Sequence, residues 1–183
     1  MSAHQEESDW SSVAGDDIDF AYIKATEGGD STDHYFTDSW DAAGEVGLDR
    51  GAYHFFTLCT PGDAQAEHFL TVAPPEPEAL APAVDLEIAG NCSDRPSQAE
   101  VDTELDVLLE EVEEAWDRQM VLYIGDDWDR VYPTRDRLDR PLWHRRILLR
   151  PDVDGWTIWQ IHGMANVDGI DGPADLNIMR PAG

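Results

Sequence analysis

The chain's 183 residues suffice for one full hydrophobic core and fall short of two, so a single domain over 1–183 is expected. Its 39 Asp and Glu against 12 Lys and Arg give a formal charge of −27, which argues against nucleic acid and anionic membranes as partners, because phosphates demand a basic surface. The acidic residues are spread along the chain, and 42% hydrophobic residues with seven Trp promise a packed core, which makes disorder a poor explanation.

Strand-like and helix-like segments then alternate. Phe20-Ala21-Tyr22-Ile23-Lys24-Ala25 reads as a strand, and the segment after it carries Phe36, Trp40, Ala43 and Val46 at helical spacing up to Gly47. The next strand is Gly51-Ala52-Tyr53-His54-Phe55-Phe56, after which Thr60-Pro61-Gly62-Asp63 signals a helix start with Pro at the first helical position. Beyond a proline-rich stretch (Pro74, Pro75, Pro77, Pro82) comes the strand Ala83-Val84-Asp85-Leu86-Glu87-Ile88. Ser97-Gln98-Ala99-Glu100 reads as a capping box opening a long helix whose apolar stripe is Val101, Leu105, Leu108, Val112 and Trp116. Met120 to Gly125 is a further strand and Asp127 to Leu138 a poorer helix. Thereafter Leu142-Trp143-His144, Trp156 to Ile161 and Ala174 to Ile178 are short strands joined by loops rich in Gly, Pro and Asp. Such alternation implies an α/β fold with a parallel sheet, and this many units suggest a barrel, in which function sits at the carboxyl ends of the strands. Lys24, His54, Glu87, Tyr123 and Gln160 all lie near such ends.

The strand around Asp85 carries the chemistry. Side chains alternate faces along a strand, so Asp85 and Glu87 point the same way with Cα atoms roughly 6.6 Å apart. Two carboxyl groups on one face, partly dehydrated by Val84, Leu86 and Ile88, cannot both ionise easily. One is pushed up and can act as an acid near neutrality, the arrangement that glycoside hydrolysis requires. The alternative for an isolated Asp-x-Glu is a pair of solvated edge charges.

Cys59 and Cys92 are the only cysteines, which rules out a zinc site built on cysteine pairs. Each follows a strand by a few residues. If those strands are neighbours, the two loops are adjacent and a disulfide is geometrically reasonable, implying an oxidising compartment; two unrelated thiols are the alternative. No run of eighteen uncharged apolar residues occurs, and Met1 to Glu7 lacks the basic and apolar regions of a secretion signal. A salt-rich habitat, whose counterions screen self-repulsion, accounts for the −27 charge, ordinary acidic drift being the alternative.

Taken together, Phe20 to Gly28, Gly51 to Phe55, Val84-Asp85-Leu86-Glu87, Leu122-Tyr123, Leu142-Trp143, Trp159-Gln160 and Asp175-Leu176-Asn177 resemble glycoside hydrolase family 25 in order and spacing. The resemblance covers nearly the whole chain. It implies an irregular (β/α)5(β)3 barrel and a muramidase that cleaves the β-1,4 bond from N-acetylmuramic acid to N-acetylglucosamine. By that resemblance Glu87 is the general acid, Asp85 orients the 2-acetamido group so that the substrate's own carbonyl attacks the anomeric carbon, and Asp175 closes the acidic cluster; direct carboxylate attack is the less favoured version. Tyr53, Tyr123, Trp143 and Trp159 are candidates for stacking on sugar faces, each with a core role as its alternative. Lys24, Glu27, Gln160 and Asn177 join the substrate-binding set, while His54 is either a wall residue or a substrate contact.

The resemblance further implies peptidoglycan glycan strands as partner, no metal or cofactor, a monomer, and a secreted or wall-associated protein. One departure stands out. The family opens with an Asp-Val-Ser type strand, and Ser2-Ala3-His4-Gln5 matches only its end. The first barrel strand and its acidic residue are therefore expected to be missing, with either a start upstream of Met1 or an open barrel as the explanation. An open barrel corresponds to the competing functional reading, a catalytically weak glycan-binding protein.

Overall fold

In the computed structural model, which describes residues 1–2, 8–149 and 155–180, the alternation becomes one curled eight-stranded sheet with helices on its outer face. The strands are β1 (Phe20–Glu27), β2 (Ser31–Thr32), β3 (Asp49–Phe55), β4 (Ala83–Leu86), β5 (Val121–Ile124), β6 (Leu142–Arg145), β7 (Trp156–Ala165) and β8 (Ala174–Met179), in spatial order β2-β1-β3-β4-β5-β6-β7-β8. All neighbours from β1 through β7 pair in parallel, while β2 and β8 close the two ends antiparallel. The helices are α1 (Trp10–Gly15), α2 (Phe36–Glu45), α3 (Gly62–Val72), α4 (Gln98–Trp116) and α5 (Asp126–Val131). α2 to α5 serve as the crossovers between successive parallel strands, and the described residues between β6 and β7 contain no helix. Neither α1 nor the two-residue β2 was expected from the sequence.

Two apolar layers follow from strand alternation. Outward residues such as Ile23, Ala25, Ala52, Val84, Leu86 and Leu122 meet the helices in the main core. Inward residues Tyr22, Ala83, Val121 and Ile158 fill the barrel floor, with Tyr53, Trp143 and Met179 packed on them. α4 supplies the largest helical contribution: Val101, Leu105, Leu108, Leu109, Val112 and Trp116 are buried, each large side chain stabilising by about 1.5–3 kcal/mol. Its capping box is formed, Ser97 accepting from the Glu100 amide and Glu100 Oε2 accepting the Ser97 N–H at 2.8 Å.

Two local expectations are corrected, and a third concerns Met1. Pro61 is the N-cap of α3 rather than its first residue, and Gly62 opens the helix because α4 passes so close that a Cβ there would lie 2.0 Å from the Glu104 carbonyl oxygen. α5 stops at Val131 instead of running to 138, since Asp129 Oδ1 accepts the amides of Thr134 (3.0 Å) and Arg135 (3.1 Å) and turns the chain around Pro133. Along the edge of β1, Met1 donates its N–H to the Tyr22 carbonyl (2.9 Å) and accepts the Lys24 amide (2.9 Å), a parallel-strand pattern. Met1 thus stands in the slot where a strand was expected, with β2 above it against Thr26 and Glu27. Ala3, His4 and Gln5 of the expected opening block lie outside the described residues.

Candidate active site

The register of the sheet builds the site. Phe55, Asp85, Tyr123 and Trp143 occupy one rung across β3, β4, β5 and β6, directly above the apolar floor formed by Tyr53, Ala83 and Val121. Glu87 follows β4 by one residue and stands a step higher at the cleft mouth. β8 brings Asp175 and Asn177 to the same space from the opposite side, and all of these except Phe55 and Val121 line a cavity of about 270 Å³. Its lining continues downward to Trp10 and Val13 of α1 and to Val167 and Ile170 before β8, along the seam between β1 and β8.

Burial dominates the electrostatics. The Asp85 carboxyl is raised well above the ordinary carboxylate range by desolvation, then by Glu87, with Lys24 opposing. Its Oδ1 is shielded from solvent and has no hydrogen-bond partner among the described residues. Glu87 is raised by burial and by Asp127, against the pull of Arg145. Asp175 is raised by burial and drawn down by the amino terminus, a Gln160 hydrogen bond and Arg145. Three carboxyls that resist ionisation together form a proton-holding cluster. Desolvation, followed by Asp85 and Asp33, likewise pushes the Tyr53 hydroxyl up.

The aromatic walls are fixed from behind. Trp143 packs on Tyr22 (ring centroids 4.9 Å) and edge-on to Tyr123 (5.6 Å), and donates its Nε1–H to Asn177 Oδ1 at 2.9 Å. The Tyr123 hydroxyl donates to Gln160 Oε1 (3.1 Å), so buried Gln160 holds Tyr123 and Asp175 in place. Lys24 faces inward over the Phe55 ring, 5.1 Å from its centroid, and pairs with Glu27 at 2.7 Å at the end of β1.

Two candidates are not brought into the cleft. Trp159 alternates with Gln160, faces the outside of the barrel, and gives its Nε1–H to the Arg146 carbonyl at 2.7 Å. His54 faces α3 and is a wall residue. Its Nδ1 meets Thr26 Oγ1 at 2.8 Å and its Nε2 meets Gln65 Oε1 at 3.0 Å, and burial lowers its pKa to about 4, which keeps it neutral.

Further supports surround the site: the Cys59–Cys92 disulfide was expected from the sequence, while Asn91, Asp127 and Arg145 were not. Asn91 accepts the Leu58 amide (2.9 Å) and donates to the carbonyls of Phe56 (2.8 Å) and Glu87 (3.0 Å), lacing the loops after β3 and β4 together. The Cys59–Cys92 disulfide joins the same two loops, as the neighbouring strands allow. Asp127 accepts the Ile88 and Ala89 amides (3.2 and 3.1 Å) and fixes the turn behind Glu87. Asp127 lies in the first turn of α5, just after β5, and Arg145 ends β6, a signal of strand carboxyl ends that was available; Asp33 and Asn91 sit in loops with no such mark.

A family model described as glycosyl hydrolases family 25 matches residues 1–170. The chain belongs to that family. Among family members of known structure, a family 25 glycosyl hydrolase from Bacillus anthracis superposes with a TM-score of 0.89 at 29% identity, covering 100% of this chain and 87% of that one. A bacterial lysozyme from Streptomyces coelicolor gives 0.87 at 26% identity, covering 100% and 90%. By sequence, YegX of Escherichia coli (strain K12) is 33% identical over 97% of this chain and 67% of its own length, and Lysozyme M1 of Streptomyces globisporus 28% identical over 92% and 62%. No helix among the described residues is long and apolar enough to cross a membrane.

Proposed function

We propose that this family 25 chain is a peptidoglycan muramidase, hydrolysing the β-1,4 bond from N-acetylmuramic acid to N-acetylglucosamine with retention and with assistance from the substrate. One observation carries the reading: Asp85 and Glu87 line one cavity with Asp175 opposite, and burial raises all three carboxyls. Glu87, at the mouth, is the general acid that protonates the leaving oxygen. Asp85, on the floor with an unpartnered oxygen, takes the N–H of the 2-acetamido group. The acetamido carbonyl oxygen attacks the anomeric carbon as the glycosidic C–O bond breaks. Water then adds to that carbon, losing its proton to the Glu87 carboxylate, and the ring formed with the acetamido group reopens. Tyr53, Tyr123 and Trp143 offer aromatic surface to the sugars, Lys24 and Asn177 polar contacts. Gln160 acts by holding Tyr123 and Asp175.

The architecture supports a finer reading as a (β/α)5(β)3 barrel whose first strand lies along β1 where Met1 is bonded. The disulfide between Cys59 and Cys92 favours an oxidising location, secreted or at the cell wall, and the protein is taken to act as a monomer. The seam between β1 and β8, filled on the β1 edge by Met1, favours a second reading, a glycan-binding cleft of low turnover.

Digestion of purified peptidoglycan tests these readings, with borohydride reduction identifying the new reducing end and proton NMR of the early product giving its anomer. Muramitol and a β-anomer are expected. Glucosaminitol would overturn the bond assignment, an α-anomer retention, and binding without release would favour the second reading.

A further inference from the structure

We propose that Arg145 is a specificity-determining residue, binding a carboxylate carried by the muramoyl side of the glycan through its guanidinium fork. The inference rests on the muramidase reading. Strand alternation places it: Trp143 faces the barrel interior, so Arg145, two residues on along β6, faces the same cleft one rung higher, in register with Gln160. Its charge reaches Glu87, Asp175 and Tyr123.

Its neighbours leave the fork free. Other arginines of this acidic chain are held: Arg137 by Asp102 (2.9 Å) and Asp106 (2.7 Å), Arg140 by Glu113 (2.7 Å), and Arg130 by the Asp126 carbonyl (2.8 Å). Arg145 is exposed, and its guanidinium makes no hydrogen bond or ion pair among the described residues. The chain beyond Arg146 is apolar and exposed. Ile147 is exposed, with its Cδ1 at 3.9 Å from where a Cβ on Gly163 would stand, and that same point is 3.5 Å from Asp175 Oδ1. Leu148 and Leu149 follow Ile147 along the chain, 76% and 61% exposed. A planar cation followed along the chain by exposed aliphatic side chains, beside an acid cluster, suits a short methyl-bearing chain that ends in a carboxylate. On a muramoyl sugar that chemistry has two sources, the lactyl ether itself and the alanine-led peptide attached to it.

The test compares wild type with Arg145→Gln and Arg145→Lys on three soluble glycan strands. One carries stem peptides, one is stripped to free lactyl carboxylates, and one is stripped and then amidated to neutrality. Arg145→Gln should raise KM roughly ten-fold or more on a carboxylate-bearing strand, the size of one charge-assisted pair, with little change on the neutral strand. Lysine should restore part of the loss. A rise on stripped strands identifies the lactyl carboxylate, and a rise confined to peptide-bearing strands identifies the stem. Equal KM on all charged strands, an equal rise on the neutral strand, or a shifted acidic limb of the pH profile with KM unchanged would each overturn the proposal. If wild type cleaves nothing, the muramidase reading fails, and titration calorimetry of the same strands against wild type and Arg145→Gln still decides carboxylate recognition.

Discussion

His54 and Asp85 stand one register step apart on adjacent strands, yet they face opposite sides of the sheet and have opposite fates. Both are polar, and burial pushes both toward their neutral forms. The histidine, turned toward α3, has both ring nitrogens partnered by Thr26 and Gln65. Asp85, turned inward, keeps a shielded oxygen with no partner among the described residues and a second raised carboxyl, Glu87, in the same cavity. Burial therefore does not distinguish scaffold from site. Between these two satisfaction does: a buried carboxyl oxygen without a partner is costly, and one that lines a cavity is placed to be completed by a ligand.

The sharpest way to break this comparison is Glu87→Gln, which preserves shape and removes the transferable proton. Hydrolysis should fall on the order of 10² to 10⁴-fold with glycan binding retained. Reducing-end release at the wild-type rate would show that the unsatisfied side of the sheet is not the catalytic one.

Next in size is the disulfide that ties the loops leaving β3 and β4, the strands that carry His54 and Asp85. It closes a 33-residue separation, and its reduction should cost about 2–4 kcal/mol. In a domain of this size each kcal/mol lowers the melting temperature by roughly 2–4 °C. Unchanged melting after reduction, with both thiols confirmed free by mass, would mean that Asn91 alone holds the loops.

On the satisfied side, His54→Leu strands Thr26 and Gln65 without their shared partner. The expected loss is about 1–3 kcal/mol in denaturant unfolding, with turnover of the folded fraction unchanged. A variant with wild-type stability and lost turnover would move His54 into the site.

Much of this contrast was legible in the sequence, and the parts that were not share a cause. The Asp85-x-Glu87 spacing, the Ser97 capping box and the stripe from Val101 to Trp116 are local signals with a fixed period, and each is found where the period puts it. Trp159 takes its alternative role away from the cleft, because next to an inward Gln160 strand alternation turns it out. The extent of α5 was misread because Asp129 turns the chain through two amides beyond the helix, a tertiary choice that propensity does not record. Asn91, Asp33 and Arg145 act across strands, and only the register shows what they reach.

The smallest expected effect is the most direct reading of the unsatisfied oxygen. A carboxyl whose pKa in the folded protein lies above its unfolded value stabilises the fold fully at pH below the unfolded value, roughly 3.9 for Asp, and that contribution is lost as pH rises through the folded value. Asp85 is such a group, raised chiefly by desolvation, so at neutral pH its carboxylate is a net burden on the fold. Asparagine occupies the same volume and cannot ionise. Asp85→Asn should therefore melt above wild type at pH 7–8, by roughly 2–4 °C for each kcal/mol of relief, and the gap should close as pH falls toward 4 and the wild-type carboxyl takes its proton. Activity should fall in the same variant, because the amide accepts the acetamido N–H without the charge that polarises it. Melting curves at half-unit pH intervals decide the matter: a gap that is negative at neutral pH, or constant from pH 4 to 8, would mean that Asp85 is stabilised by contacts in the cleft and that its free oxygen does not mark the site.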